Sequence, residues 1–150
     1  MTTRQYTSRR MAILAALAEK LKTIDGTGSF RSNLASNVSD RLLFWDEVKD
    51  FPAVHLNAGT ETRAYQGGGY KDRFLALTVR IYVQEENATY ALEKVIEDVE
   101  TVLEDNSRLA YVDQDGVTQY TQQISILRIE TDEGVLDPIG VAEISCEVRY

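Results

Sequence analysis

Two stretches of the chain carry apolar residues at helical spacing. Residues 88–105 show the stronger pattern, with apolar positions at i, i+3, i+4, i+7, i+10 and i+11 and a stripe of glutamates on the opposite side. The apolar positions are Leu92, Val95, Ile96, Val99, Val102 and Leu103. Asn87 is a suitable N-cap for this segment. Residues 8–24 repeat the pattern more weakly, so the spacing predicts two amphipathic helices on a shared core.

Alternation with a period of two predicts strands elsewhere. It is strongest in residues 70–84, where the core-facing set is Leu75, Leu77, Val79, Ile81 and Val83. The other side of this strand also carries large residues, which favours a sheet covered by helices on one face and by a partner on the other. Before it, residues 53–57 predict a strand that begins after Pro52, and residues 60–65 lead on to the glycines as the first arm of a long hairpin.

The C-terminal part of the chain predicts a pair of strands. An acidic turn at 131–138 leads into a segment in which Ala142, Ile144, Cys146 and Val148 alternate with polar residues. We expect this segment to tie the end of the chain into the sheet. Residues 124–129 predict the preceding strand, and their apolar side changes between Ile126 and Leu127, which predicts a bulge or a twist.

The region between residues 28 and 52 is the least regular. Weak alternation of Phe30, Ser32 and Leu34 predicts a short strand, followed by a loop over 35–40. The apolar cluster 42–45, which ends in Trp45, either fills part of the core or forms a surface anchor for a partner, because Trp and Phe are enriched at binding hot spots.

Residues 63–73 predict a hairpin tip that projects from the body. The glycines Gly67, Gly68 and Gly69 suit the turn, and polar residues in both arms are unsuited to a monomer core. The element order lacks an alternating strand–helix series. We therefore predict a single α+β domain over residues 1–150, with one mixed, mostly antiparallel sheet covered on one face by two helices.

Composition narrows the class of protein. The chain has a formal net charge of −8, which argues against a surface that coats nucleic acid. Its apolar runs are too short to span a bilayer, and its polar start lacks a secretory pattern, so we expect a cytosolic protein without membrane contact. A single cysteine, Cys146, excludes an internal disulfide, and its position in a strand favours a buried thiol over a reactive one.

The residues suited to catalysis are few. His55 is the sole histidine and sits between apolar strand residues, which favours a structural role. The glycine triplet is followed by a predicted strand rather than a helix, unlike a phosphate loop. Asp113 and Asp115 match only part of a calcium loop and favour a plain turn. We expect no enzyme activity, metal or cofactor.

The chain resembles the tail terminator proteins of long, non-contractile-tailed phages. The resemblance rests on the opening helix, on Asp50-Phe-Pro-Ala-Val54 leading to Gly59-Thr-Glu-Thr62, and on the long strand followed by the Leu/Val/Ile-rich helix. The most specific block is Thr131-Asp-Glu-Gly-Val-Leu-Asp-Pro-Ile-Gly-Val-Ala-Glu-Ile144 with the closing Val148-Arg-Tyr150.

This resemblance implies a structural virion protein at the head-proximal end of the tail, assembled in the host cytoplasm. Its implied partners are the tail tube protein, a head–tail connector or neck protein, and further copies of itself in a hexameric ring. DNA would cross the lumen of this ring without specific binding. Candidate contact residues with a subunit or the tube are Arg63, Gln66, Gly67, Gly68, Gly69, Lys71, Arg73, Asp132, Glu133 and Trp45.

Three other interpretations remain open from the sequence. A neck or connector subunit would share the ring habit but cap the head side of the joint. A small hydrolase would use His55 with Asp132 or Glu133. An unrelated α+β binding module would not assemble into a ring.

Overall fold

The computed structural model describes residues 8–34, 37–41, 44 and 46–150 and shows an α+β architecture. Its helices are α1 (Arg9–Leu21) and α2 (Ala88–Asp105). Its strands are β1 (Val38–Ser39), β2 (Ala53–Tyr65), β3 (Lys71–Gln84), β4 (Ala110–Val112), β5 (Thr118–Tyr120), β6 (Gln123–Thr131) and β7 (Ile139–Arg149). A short 3-10 turn, Gly67–Gly69, connects β2 to β3.

The main sheet has the strand order β1-β2-β3-β7-β6 within the described ranges. β1 runs parallel to β2, and the other neighbouring pairs are antiparallel. This arrangement confirms the predicted mixed, mostly antiparallel sheet. β4 and β5 form a separate two-stranded ribbon around the predicted Asp113–Gly116 turn, and these two short strands were missed in the sequence pattern.

The two helices cover one face of the sheet. α2 has the predicted bounds and buries Leu92, Val95, Ile96, Val99, Val102 and Leu103. The Asn87 side chain accepts a hydrogen bond from the backbone N–H of Tyr90 at 3.3 Å, which confirms the predicted N-cap. α1 begins after an N-cap at Ser8 and ends at Leu21, three residues short of the predicted end, although Ile24 is still buried.

The alternating strands supply the rest of the core. The predicted inward residues of β3 pack with Ala142, Ile144, Cys146 and Val148 of β7 beneath the helices. β2 joins the predicted strand over 53–57 to the predicted hairpin arm over 60–65, with a bulge between Ala58 and Glu61. The bulge in β6 is confirmed: Ile126 pairs with Cys146 and Arg128 with Ser145, so Leu127 is the extra residue.

The prediction for residues 28–40 was wrong in two places. Of the predicted strand, only Asn33 forms an isolated bridge, to Asp25, because the backbone N–H groups of Arg31 and Ser32 bond to a helix carboxylate instead. Val38 and Ser39, predicted in a loop, pair with β2 as strand β1. The apolar cluster 42–45 lies outside the described residues except for Phe44, which is 73% exposed.

Candidate assembly surface

The tip of the β2–β3 hairpin extends beyond the end of β7, the strand that lies next to β3 in the sheet. The β3–β7 ladder ends with the pair Phe74 and Arg149, and the backbone of Arg73 still exchanges two hydrogen bonds with Tyr150 at 2.9 and 3.1 Å. Past this point, among the described residues, β2 and β3 pair only with each other, as far as Tyr65 and Lys71. We name residues 63–73 the hairpin tip, and its geometry agrees with the projecting hairpin that the sequence predicts.

Most candidate contact residues lie together on this hairpin tip. Arg63, Gln66, the three glycines and Lys71 are exposed, and Arg73 is half-buried at its base. Gly68 and Gly69 have φ values of 78° and 83°, so the turn uses a left-handed backbone that glycine adopts without strain. The strand predicted after these glycines is present as β3, where a phosphate loop would lead into a helix.

The most exposed apolar groups of the hairpin tip are two tyrosines that we did not single out from the sequence. Tyr65 and Tyr70 flank the turn and are 74% and 76% exposed. Tyrosine combines a large apolar ring with a polar end, and it is enriched at protein interfaces. The signal in the sequence was a pair of aromatic residues placed on either side of a glycine turn in otherwise polar arms.

Tyr150 anchors the base of the hairpin tip. Its hydroxyl donates to Glu61, whose other carboxylate oxygen accepts from Arg63 Nε at 2.8 Å. The guanidinium groups of Arg9 and Arg73 lie 5.1 and 5.5 Å from the centre of its ring. Burial, and then the hydrogen bond and charge of Glu61, raise the pKa of Tyr150 to about 12, so the phenol stays protonated and remains a donor.

The acidic turn lies at the other end of the sheet. Asp132 accepts hydrogen bonds from the backbone N–H groups of Leu136 at 3.1 Å and Val141 at 3.4 Å, so its carboxylate caps the turn. Glu133 is exposed and, with φ at 56°, has the left-handed backbone that Gly134 also adopts at 84°. The structure therefore separates Asp132 and Glu133 from the hairpin tip, and Trp45 lies outside the described residues.

A surface cavity of about 340 Å³ opens beside this turn, on the sheet face that the helices leave uncovered. Its apolar lining comes from Phe44, Tyr82, Leu136, Val141 and Ala142, and its polar lining from Arg80, Glu130, Thr131, Asp132 and Glu143. Arg80 and Glu143 form an ion pair across it at 2.9 Å. We name this the end cavity; no single sequence motif marks it, because its walls come from four separate segments.

His55 is packed into the sheet rather than placed in a catalytic arrangement. It is 3% exposed, and its ring lies 5.2 Å from that of Tyr82. Burial, and then the positive charge of Arg80, lower the pKa of His55. Neither Asp132 nor Glu133 is among the groups that shift this pKa, which disfavours a hydrolase that pairs His55 with either carboxylate.

Cys146 is likewise a core residue. It is buried on the inner face of β7, and burial raises the pKa of its thiol to about 12. The thiol therefore stays protonated and unreactive at neutral pH. The prediction that Cys146 is buried is confirmed.

The remaining acidic clusters have structural explanations. Asp113 accepts from the backbone N–H groups of Asp115 and Val117, both at 2.9 Å, as a turn residue. The outer side of α2 is lined by Glu93, Glu97, Glu100 and Glu104. Burial, and then the charges of the neighbouring glutamates, raise the pKa of Glu100.

Within the ranges that the structure describes, no group of three or more His, Cys, Asp or Glu residues is arranged to hold a metal ion. None of the helices there is long and apolar enough to cross a membrane.

Comparisons with known proteins decide the family. A family model described as Bacteriophage Tail Tube Terminator Protein matches residues 7–150. The chain belongs to the bacteriophage tail tube terminator family. This terminator-family chain is 35% identical to the tail tube terminator protein p142 of Escherichia phage T5, over 94% of the chain and 92% of that relative.

A solved structure supports the same fold. A chain from the virion of the native gene transfer agent (GTA) particle superposes with a TM-score of 0.57 at 13% identity, over 92% of the terminator-family chain and 93% of that chain. At this identity the similarity establishes the fold alone. The family match confirms the resemblance found in the sequence, and it identifies a structural protein of the phage tail rather than an enzyme.

Proposed function

We propose that this chain forms a closed hexameric ring on the head-proximal end of a phage tail tube, where it stops tube polymerisation and provides the surface for head–tail joining. The match of residues 7–150 to the tail tube terminator family carries the proposal. Its proposed partners are the tail tube protein, a connector or neck protein on the head side, and further copies of itself.

A closed ring requires two different patches on each subunit that fit each other. The hairpin tip and the acidic turn lie at opposite ends of the sheet and differ in charge, which supports this requirement. We propose Arg63, Gln66, Gly67–Gly69, Lys71 and Arg73 as residues of one patch, and Asp132 and Glu133 as residues of the other. Trp45 stays a candidate contact from the sequence alone.

The charge of the chain supports passage of DNA through such a ring without capture. A net charge of −8 repels phosphates over the ring as a whole, whereas tight DNA binding requires clustered lysines and arginines that displace counterions. The cations of the hairpin tip would then serve protein contacts rather than contacts with DNA.

Deletion of the gene for this chain tests the role directly. Negative-stain images of particles from an infection with the deleted phage, and with the same phage complemented in trans, would give tail lengths and head attachment. Tails of uncontrolled length without heads are the expected result. Normal-length tails that fail to join heads would instead indicate a connector role on the head side, and intact infectious particles would contradict both roles.

A matched biochemical experiment isolates the effect on the tube. Purified tail tube protein would be polymerised with and without this chain, and tube lengths would be measured by electron microscopy. We expect a substoichiometric amount to stop elongation, because each tube end takes one ring. Tubes that elongate unchanged in the presence of the folded chain would contradict termination.

A further inference from the structure

We propose that the hairpin tip of one subunit docks into the end cavity of a second copy of this chain, with Tyr65 and Tyr70 as the inserted groups. This inference rests on the proposed ring and specifies the contact that closes it.

The two tyrosines are exposed, and the hairpin tip that carries them is held in place at its base. Tyr65 and Tyr70 are among the most exposed large apolar side chains of the described residues, and they flank a turn of only a few residues. The hairpin tip that carries them is fixed at its base by the Arg73–Tyr150 backbone bonds and by the Glu61–Tyr150 side-chain bond. A fixed aromatic group loses less conformational freedom on binding than a mobile one, which favours association.

The end cavity has the size and lining to receive an aromatic side chain. Its volume of about 340 Å³ falls within the range of small-ligand pockets, roughly 300–1,000 Å³. Phe44, 73% exposed at its wall, offers a ring for aromatic contact, and the half-buried Leu136 and Val141 offer aliphatic surface. Exposed Val135 in the neighbouring turn adds apolar surface beside the cavity.

Charge favours a second copy as the occupant. The hairpin tip contains three cations, Arg63, Lys71 and Arg73, against one carboxylate, Asp72, so it has a formal net charge of +2 in a chain of −8. The end cavity has the opposite balance, with Glu130, Asp132 and Glu143 against Arg80, a formal net charge of −2. Local complementarity of this kind offsets the repulsion between two acidic subunits and fixes their orientation.

The positions of the two surfaces fit a ring contact. Lys71 begins β3 at the hairpin tip and Tyr82 lies near its other end, about 35 Å away because a strand rises about 3.3 Å per residue. A subunit therefore cannot fill its own cavity. Each copy offers its hairpin tip to one neighbour and its cavity to the other, which is the head-to-tail contact that generates rings.

Disulfide trapping tests the contact. The variant Tyr70→Cys with Thr131→Cys places one thiol on the hairpin tip and one on the exposed rim of the cavity. The control, Tyr70→Cys with Val117→Cys, moves the second thiol to the exposed β4–β5 turn. Cys146 does not compete, because it is buried and its pKa is about 12. Both proteins would be oxidised on purified tail tubes and separated on non-reducing gels.

We expect the first variant to give a ladder that ends in a closed product, and the control to stay mainly monomeric. If electron microscopy shows rings on the tubes while the first variant cross-links no better than the control, the docking contact is wrong and the ring stands. If neither rings nor cross-linked multimers form on the tubes, both the docking contact and the proposed ring are wrong.

A mixing experiment gives a second, independent readout. The variant Tyr65→Ala/Tyr70→Ala lacks the inserted groups, and Thr131→Trp fills the cavity from an exposed position. Each alone should associate about 10- to 100-fold more weakly than the unchanged chain, as for interface hot spots. Mixed, they retain one intact contact per pair, so native mass spectrometry should show heterodimers that extend no further. Rings formed by either variant alone would contradict the contact, and circular dichroism would verify that both variants fold.

Discussion

The body of the protein and its hairpin tip use the same two strands in opposite ways. In the body, β3 lies between β2 and β7 and beneath the helices, and alternate residues such as Leu77 and Val79 are fully buried. In the hairpin tip, β2 and β3 pair with each other and with no other strand that the structure describes, and the most exposed apolar groups are aromatic. Under the proposed function, one length of these strands serves stability and the other serves recognition, so substitutions in the two lengths should have separable effects.

The largest expected loss of stability comes from the buried length of β3. Leu77 is 1% exposed and pairs with Ala58 and Cys146. Leu77→Ala should lower the free energy of unfolding by about 2–5 kcal/mol, because the substitution leaves a cavity. Tyr65→Ala in the hairpin tip is the matched control and should change stability by less than about 0.5 kcal/mol. Urea denaturation measures the free energy of unfolding of both variants. Equal losses would show that the body and the hairpin tip contribute equally to stability, against the comparison drawn above.

A buried carboxylate gives the next largest effect in the body. Asp98 of α2 accepts from the backbone N–H groups of Arg31 and Ser32 and from the Ser32 hydroxyl, at 2.5 to 3.1 Å. Asp98→Ala should cost about 2–4 kcal/mol, because it leaves these donors without their acceptor. The neighbouring Glu97→Ala, which removes an exposed ion pair with Arg31, should cost less than about 1 kcal/mol by the same denaturation measurement.

Two glycines sharpen the contrast between body and tip. A Cβ on Gly140 would lie 2.8 Å from Val83 Cγ2 and 3.3 Å from the Ala88 carbonyl oxygen, so Gly140→Ala should destabilise the protein by about 1–3 kcal/mol. A Cβ on Gly67 in the hairpin tip would have no atom of the described residues within 4 Å, so Gly67→Ala should be nearly neutral. Thermal unfolding of the two variants compares them, and similar melting temperatures would mean that β7 and α2 pack less closely than described.

The smallest effect lies where the hairpin tip meets the body. Burial raises the pKa of Glu61, but hydrogen bonds from Tyr150 and Arg63 outweigh it, so the net pKa lies below the usual 4.5. A lowered pKa stabilises the fold above about pH 4.5, and this contribution is lost as the pH falls through the lowered value. Tyr150→Phe should cost about 0.5–1.5 kcal/mol at pH 7 and flatten the fall of stability towards acid.

The measurement for this variant is urea denaturation between pH 3 and pH 7, with Tyr120→Phe as a matched control because Tyr120 is an exposed tyrosine on the β4–β5 ribbon. A Tyr150→Phe protein that loses stability at acid pH as steeply as the unchanged chain would show that Glu61 is not held by the phenol.

Periodicity was sufficient for the long elements and insufficient for the short ones. α2, β3 and β7 repeat their pattern over many residues, and the bulge at Leu127 was visible as a change of side. Val38 and Ser39 give too few residues for any period, and their pairing with β2 depends on a parallel neighbour distant in sequence. The prediction of a strand around Ser32 was wrong, because the backbone N–H of Ser32 donates a hydrogen bond to the side chain of Asp98, 66 residues away.

The sequence predicts one part of the candidate surface, the hairpin tip, and does not predict the other part, the end cavity. The polar arms and glycines of the hairpin tip mark it in the sequence, because such residues are unsuited to a core. The end cavity cannot be predicted from the sequence, because Phe44, Tyr82, Leu136 and Val141 come together only when the chain folds. Asp132 was singled out correctly as a turn residue, whereas its place beside a cavity requires the arrangement of β6 and β7.

The bulge in β6 has a further consequence for solubility. β6 is the outermost long strand of the sheet, and an unpaired strand edge is a template on which other chains aggregate. The extra residue Leu127 interrupts the regular ladder, and the exposed Arg128 and Glu130 place opposite charges beside it. Both features discourage edge-to-edge stacking of sheets. The outer edge of β6 is therefore protected against pairing with the strands of other chains.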